Sequence, residues 1–189
     1  PAHRDLRQIE AIIGASLLQE SVQSRAIAVF RRLAEAEAHI HDTSPDRIHF
    51  HEVGAIDAIV DVVGSAAALD YIGASLLVSP LPMGSGTVKA RHGILPLPAP
   101  ATVECLRDLE TYDGNLPFEF VTPTGAAICG AHAERSSRWP SMKPIHVGWG
   151  AGTASLSDRP NLLRAVLGEP VGADASSHET HTVIEANLD

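Results

Sequence analysis

Residues 49–61 place two histidines and three carboxylates in a segment that is otherwise apolar. The five side chains are His49, His51, Glu52, Asp57 and Asp61. Imidazole nitrogen and carboxylate oxygen without a thiolate form a ligand set that suits Zn, Ni, Mn or non-haem Fe. The residue types alone do not choose among these metals. The HExxH motif of zinc proteases is not present, because Ala55 stands where the second histidine would be needed.

The two histidines are predicted to share one face of a short strand, residues 48–51. Side chains alternate along a strand, so His49 and His51 would point to one side and Phe50 to the other. A single histidine on such a strand is more often a satisfied core residue than a metal ligand. His39 and His41 lie close by in the sequence, however, and this clustering raises the question of a metal.

A helix is predicted from Ala55 to Tyr71, with apolar residues around most of its circumference and Gly73 ending it. Such a helix is normally buried. Asp57 and Asp61 lie one turn apart and would form its remaining polar stripe. Buried carboxylates need a basic partner such as Lys89, a backbone N–H group, or a bound cation.

Three loops rich in glycine and threonine, at 84–87, 122–125 and 148–153, could present N–H groups and hydroxyls to an anion. The loop at 122–125 is the best placed, because a helix with threonine caps follows it directly. The candidate residues for a phosphate or carboxylate are Ser85, Gly86, Lys89, Arg91, His92, Thr122, Thr124 and Gly125. Short loops of this kind are more often plain turns, and none matches a P-loop or GxGxxG. The basic residues could equally form a solvated hairpin or pair with the acidic stripe.

Composition limits the class of protein. The chain has 189 residues, 44% of them hydrophobic, and a net charge of −9, which argues against general binding to nucleic acid or to an anionic membrane. Cys105 and Cys129 lack CxxC spacing, and no apolar segment is long enough to span a bilayer. We therefore expect a cytoplasmic protein with reduced thiols.

The predicted fold is α+β: a central buried helix, Ala55–Tyr71, with flanking helices such as Val22–His39, packed on a mixed sheet. A short first helix is expected at Leu6–Leu18, and strands are expected at 75–79, 118–121, 144–148 and 161–167. We divide the chain into a domain at 1–168, a linker at 169–181 and the start of a further domain at 182–189. The chain begins without Met and stops in an apparent strand, so we expect a piece of a longer protein.

Several segments occur in the order typical of one family. They are residues 49–61, 79–86, 92–102, 121–127, 148–153 and 160–164, which read HFHEVGAIDAIVD, SPLPMGSG, HGILPLPAPAT, VTPTGAA, GWGAGT and PNLLR. On these segments the chain resembles the N-terminal region of the LarC family over most of Leu6–Glu169.

The resemblance implies nickel insertion. LarC proteins are CTP-dependent nickel chelatases of the lyase class. They place nickel in pyridinium-3,5-bisthiocarboxylic acid mononucleotide, completing the nickel-pincer cofactor of lactate racemase and its relatives. Ni(II) would then be the metal of the histidine and carboxylate cluster, and the anionic mononucleotide the ligand of the glycine- and threonine-rich loops. CTP and Mn or Mg are expected only with a separate C-terminal domain, so this chain alone should be inactive.

Two other hypotheses remain open from the residues. The polar cluster could belong to a non-catalytic domain that binds metal structurally or joins subunits, and a homo-oligomer is then possible. A divalent-metal phosphoesterase is a weaker alternative. A covalent hydrolase has little support, because the sequence has no GxSxG motif.

Overall fold

Helices and strands both occur along the chain in a computed structural model that describes residues 4–50, 55–91, 93–136, 138–171 and 181–186. The helices are α1 (Leu6–Gly14), α2 (Glu20–Ile40), α3 (Ile56–Ile72), α4 (Pro100–Cys105) and α5 (Pro123–His132). The strands are β1 (Arg4–Asp5), β2 (His49–Phe50), β3 (Ser75–Val78), β4 (Leu81–Met83), β5 (Thr87–Ala90), β6 (Gly93–Pro96), β7 (Thr111–Asp113), β8 (Ala133–Ser136), β9 (Met142–Ala151), β10 (Leu162–Pro170) and β11 (His181–Ala186). This mixture confirms the predicted α+β class.

The largest sheet has five strands in the order β8-β3-β11-β10-β9. Strand β3 runs parallel to both β8 and β11, whereas β10 is antiparallel to β9 and β11, so the sheet is mixed as predicted. Three two-stranded ladders complete the strand pairing: β1 with β2, β4 with β7, and the hairpin β5–β6. The hairpin lies where the sequence predicts a loop or hairpin around residue 90.

The last described strand lies inside this sheet. Strand β11 pairs with β10 on one side and with β3 on the other, and its Val183 is buried. Strand β10 continues to Pro170, into the stretch predicted as a linker. The described part of 182–189 therefore belongs to the sheet of this domain. The division of the chain at 168 and 182 otherwise stays a prediction.

Helix α2 is the centre of the packing. It contacts α1, α3, α4 and α5, and it buries Val29, Phe30 and Leu33 completely or nearly so. Its apolar stripe follows the helical repeat, as the sequence predicts. Its start lies before the predicted Val22, because Gln19 is the N-cap residue. The Ser21 hydroxyl donates a hydrogen bond to Asp70 at 3.0 Å.

The prediction that residues 55–71 form the central buried helix is wrong in its placement. Helix α3 buries only one face against its neighbours, through Ala58, Val62, Ala66 and Leu69. Ile56 is 66% exposed, Val60 62% and Tyr71 93%. Apolar residues allow a helix face to be buried, but burial requires another element that packs against that face. The helix ends as predicted, at Gly73 with φ 65°.

Three local features differ from the sequence prediction. The first helix ends at Gly14 instead of reaching Leu18. Residues 118–121 alternate like a strand but pair with no strand among the described residues; Phe118 and Phe120 pack edge to face instead, with ring centroids 5.3 Å apart. The loop predicted at 148–153 is strand as far as Ala151, because β9 continues its pairing with β10.

Candidate functional site

A cleft of about 920 Å³ lies between the end of α2, the start of α3, the β5–β6 hairpin and the start of α5. Its volume is within the usual range for small-molecule and cofactor sites. The polar and ionisable side chains along it are Glu37, His41, Thr43, Arg47, His49, Asp57, Asp61, Lys89, Glu119, Thr122 and Thr124. Six of these are residues that the sequence singled out for a site.

Strand β2 positions His49. It pairs with β1, so that Asp5 stands opposite His49 and Arg4 opposite Phe50. The Phe50 ring is buried and packs edge to face on Phe30, with centroids 6.1 Å apart. Because neighbouring side chains of a strand point to opposite sides, anchoring Phe50 in the core turns His49 outward to the cleft. His51 and Glu52, the other two ligands predicted here, lie outside the described residues.

Asp57 and Asp61 lie on the first two turns of α3 and line the same cleft as His49. They are exposed, so the prediction of a buried acidic stripe is wrong; the neighbouring apolar face of α3 is uncovered. Their charges therefore need no buried counter-ion, and among the described residues neither forms an ion pair with Lys89. The Asp57 carboxylate also accepts the Ala58 N–H at 2.9 Å, a favourable place for negative charge at a helix start.

The opposite wall of the cleft carries hydroxyls and a cation. Lys89 comes from β5, and Thr122 and Thr124 from the start of α5. Thr122 is the N-cap of α5, as predicted, and its Oγ1 accepts the Gly125 N–H at 3.2 Å. Because this hydrogen bond already satisfies the Gly125 N–H, the remaining hydroxyl of Thr124 and the Lys89 ammonium are the groups best placed for an anion.

The other predicted anion-binding residues do not line the cleft in the described part of the chain. Ser85 turns towards Leu116, whose carbonyl accepts the Ser85 N–H at 3.1 Å. Gly84 beside it packs so closely on the Phe118 carbonyl that a side chain there would clash. Gly86, Arg91 and Gly125 are likewise not among the lining residues, and His92 lies outside the described residues. Their assignment stays a prediction.

Sequence reasoning missed the contribution of the end of α2. Glu37 and His41 both line the cleft, and His41 Nε2 lies 3.5 Å from Glu37 Oε2. Arg47 and Glu119 line it as well. Two signals could have pointed to His41: its place in the histidine cluster, and its spacing of four residues from Glu37, which puts both side chains on one side of a helix.

Potential metal ligands line the cleft, but the described residues do not form a metal centre. Among the described residues, no group of three or more His, Cys, Asp or Glu side chains is close enough to hold one ion. His49, Asp57 and Asp61 thus share a cleft but not a common coordination point. Within the same described ranges, no helix is long and apolar enough to cross a membrane.

Comparisons with known proteins agree with the chemistry of this cleft. The family model described as nickel insertion protein matches residues 1–189. A relative from Pelobacter propionicus is 48% identical over 98% of this chain, and one from Roseiflexus castenholzii is 48% identical over 99%; the names of both refer to nickel insertion. A protein of Geobacillus kaustophilus, named pyridinium-3,5-bisthiocarboxylic acid mononucleotide nickel insertion protein, is 42% identical over 100% of the chain.

The match covers only part of each relative, because the chain spans 47% or 48% of their lengths. No solved structure gives a significant match. The family model, in contrast, covers all 189 residues, including every segment on which the sequence resembles LarC proteins. The chain belongs to the nickel insertion protein family.

Proposed function

We propose that this chain is the nickel-binding part of a protein that inserts nickel into pyridinium-3,5-bisthiocarboxylic acid mononucleotide, to form the nickel-pincer cofactor of lactate racemase-type enzymes. The observation that carries the proposal is the composition of one cleft. Imidazole and carboxylate groups line one side of it, and a lysine and two threonine hydroxyls line the other. A metal and an anionic ligand could therefore meet there.

On the side of the cleft with imidazole and carboxylate groups, we propose that five side chains hold Ni(II) as the substrate metal: His49, Asp57 and Asp61, with His51 and Glu52. Imidazole nitrogen and carboxylate oxygen suit this ion. No cysteine is among the described residues that line the cleft. Nickel held there would meet sulfur ligands only on the mononucleotide, whose name, given for the Geobacillus relative, identifies it as a bisthiocarboxylic acid.

On the other side, Lys89, Thr122 and Thr124 would hold the anionic groups of the mononucleotide. An ammonium and hydroxyls are suitable partners for a phosphate. Ser85, Gly86, Arg91, His92 and Gly125 remain weaker candidates for the same ligand. Those of them that the structure describes do not line the cleft, so they could contact the ligand only after a change in conformation.

The remaining steps of the reaction are proposed for the longer protein. We propose a CTP-dependent chelatase of the lyase class, with CTP and Mn or Mg held outside this chain. We propose that the whole protein lies in the cytoplasm as a homo-oligomer. The chain alone would then bind nickel without completing the insertion cycle. Its relatives are about twice as long, which leaves room for such a part.

Nickel titration of the purified chain tests the metal assignment. The His49→Ala/His51→Ala double variant should bind Ni(II) at least about tenfold more weakly than the wild type. His146→Ala is a matched control, because His146 lies on the exposed strand β9 away from the cleft. Equal affinity in the wild type and the double variant would refute the assignment.

Two further measurements separate the alternatives. If bound metal is structural, chelation should unfold the chain, whereas a transport site should release nickel with little loss of stability. Turnover of a generic phosphoester by the metal-loaded chain would favour a phosphoesterase instead.

Binding of the mononucleotide tests the opposite wall of the cleft. Lys89→Ala should weaken binding, and the exposed Lys143→Ala on β9 should not. Equal effects of the two lysine substitutions would count against a specific anion site at Lys89.

A further inference from the structure

We infer that Arg47 binds a thiocarboxylate group of the mononucleotide, on the wall of the cleft that carries His49. The inference rests on the proposed function and deepens it, because it assigns the anionic groups of one ligand to opposite walls. The phosphate goes to Lys89 and the threonines, and a thiocarboxylate goes to Arg47. Arg47 was not a candidate from the sequence, and it lines the same cleft as His49 and Lys89.

Local structure places Arg47 beside His49. Arg47 is the last residue of the short 3-10 helix Pro45–Arg47, and His49 begins β2. Between them Ile48 has an extended backbone, with φ −74° and ψ 128°, and its side chain is buried. The neighbours of an extended residue point to the side opposite to it, so Arg47 and His49 share the exposed side. Their Cα atoms are then about 6–7 Å apart.

The Arg47 guanidinium has no partner within the described ranges. Other arginines of the chain hold a carboxylate: Arg31 pairs with Glu10 at 2.8 Å, and Arg107 with Glu104 at 2.9 Å. Arg47 forms no such ion pair and no side-chain hydrogen bond with a described residue, although it is exposed in a cleft that also has carboxylates. Its charge is therefore available to a ligand.

The chemistry of a guanidinium decides what that ligand is. A fixed positive charge beside His49 repels a metal ion, so Arg47 does not contribute to holding nickel. It attracts an anion, and its planar fork can donate two parallel N–H bonds to a carboxylate-type group.

The mononucleotide has two kinds of anionic group, a nucleotide phosphate and the thiocarboxylic acids that the name of the Geobacillus relative gives it. The thiocarboxylate contains the sulfur that would meet nickel. Because Arg47 lies next to His49, a thiocarboxylate held by Arg47 lies next to a metal held by His49. The phosphate, in contrast, has no reason to approach the metal. Arg47 would thus act as a positioning residue for the acid that receives nickel.

Isothermal titration with the mononucleotide and, separately, with Ni(II) tests this role. Arg47→Ala should weaken mononucleotide binding about tenfold or more, and Arg47→Lys, which keeps the charge but loses the fork, should weaken it less. Neither variant should bind Ni(II) more weakly than the wild type. A parallel loss of both ligands in Arg47→Ala and Arg47→Lys would indicate damage to the local structure and would overturn the inference.

Arg7→Ala is the matched control, because Arg7 is exposed on α1, does not line the cleft and carries the same charge. It should leave mononucleotide binding unchanged. An equal loss in Arg7→Ala and Arg47→Ala would reduce the effect to general charge and overturn the assignment.

The nucleoside obtained by removing the phosphate distinguishes the two anionic groups. Arg47→Ala should weaken binding of the nucleoside by the same factor as binding of the mononucleotide, whereas Lys89→Ala should affect only the mononucleotide. If the nucleoside binds equally to the wild type and to Arg47→Ala, the thiocarboxylate assignment is overturned.

The two lysine and arginine variants also separate this inference from the proposed function. If Lys89→Ala weakens mononucleotide binding and Arg47→Ala does not, the inference fails and the proposed function stands. If only Arg47→Ala weakens it, the phosphate assignment at Lys89 fails and the inference stands. A wild-type chain that binds no mononucleotide overturns both.

Discussion

Ionisable and thiol groups lie in two regions around α2, one exposed to solvent and the other buried. In the cleft, His41, His49, Asp57 and Asp61 are exposed to solvent. In the interface of α2 with α4 and α5, burial raises the pKa of the Cys105 thiol to about 12 and that of Cys129 to about 11. Burial also lowers the pKa of His132, whose Nε2 is buried at the end of α5.

The difference separates groups that stabilise the fold from groups available for chemistry. Removal from water disfavours the charged form, so the interface holds two neutral thiols and a neutral imidazole. Arg32 is a charged residue in this interface, and its guanidinium donates to the Cys105 carbonyl at 3.1 and 3.2 Å. In the cleft the charges stay hydrated and can bind an ion. We therefore expect substitutions in the buried interface to change stability and those in the cleft to change binding.

The largest effect should come from the core of α2. Leu33→Ala removes a fully buried side chain, and the lost burial and the resulting cavity should lower the free energy of unfolding by about 2–5 kcal/mol. Glu37→Gln, one turn further along the same helix, should change it by less than about 0.5 kcal/mol. Urea denaturation measures both. A similar loss for the two variants would remove the contrast between core and cleft.

Gly130→Ala tests how closely α5 approaches α4. A Cβ at Gly130 would clash with the Cys105 carbonyl, which is backbone and cannot move aside cheaply. We expect a loss of about 1–3 kcal/mol in the free energy of unfolding.

Gly64→Ala on α3 is the control for this substitution, because a Cβ there meets no atom within 4 Å. Alanine favours a helix over glycine by about 0.5–1 kcal/mol, so this variant should be slightly stabilised. If both glycine variants gained stability, the close contact of α5 with Cys105 would be disproved.

Burial of His132 should make stability depend on pH. Its pKa is lowered below 6.5 first by burial and then by the nearby Arg25 charge. In the window between the folded pKa and 6.5, the unfolded chain binds a proton that the folded chain does not. This contribution to stability is complete above pH 6.5 and is lost as the pH falls through the folded pKa.

His132→Gln should therefore flatten the fall of the urea midpoint between about pH 7 and pH 5, where a histidine titrates. His146→Gln, a change on the exposed strand β9, should leave the pH dependence as in the wild type. The same slope in all three proteins would show that His132 is not the group responsible.

The smallest effect on stability is expected at Asp61. Asp61→Asn removes an exposed charge, so the free energy of unfolding should change by less than about 0.5 kcal/mol. Nickel affinity should nevertheless fall severalfold, as isothermal titration can measure.

Asp70→Asn provides the comparison on the same helix. Asp70 pairs with Arg25 at 3.4 Å and accepts a hydrogen bond from Ser21, both on α2, and it does not line the cleft. The Asp70→Asn substitution should alter the free energy of unfolding slightly and leave nickel binding unchanged. If the two aspartate variants lowered nickel affinity equally, the effect would be one of general charge and not of the cleft.

Local signals in the sequence predicted much of the fold correctly. The long amphipathic stripe of α2, the glycine that ends α3 and the threonine that caps α5 each act through backbone geometry within a few residues. The period of the strand also predicted that His49 and Phe50 point to opposite sides, and the structure shows that Phe50 is the one in the core. These features need no distant partner, so the sequence alone contains the information.

Features that depend on a distant partner were harder to predict. Residues 118–121 have the alternation of a strand, but no described strand lies beside them to accept their hydrogen bonds. Helix α3 has apolar residues on every side, but only one side meets a neighbour. In both cases the pattern allowed an interaction that the described part of the chain does not supply.

The sequence by itself determined a set of residue types that suit a divalent metal, the segments on which the chain resembles LarC proteins and most of the local structure. Only the tertiary structure decided that α2 rather than α3 is central, and that Glu37 and His41 face the same cleft as His49 and Asp61. The physical reason is that helix and turn formation is set by neighbours within about four residues. A cleft, in contrast, forms where elements far apart in the chain pack against each other.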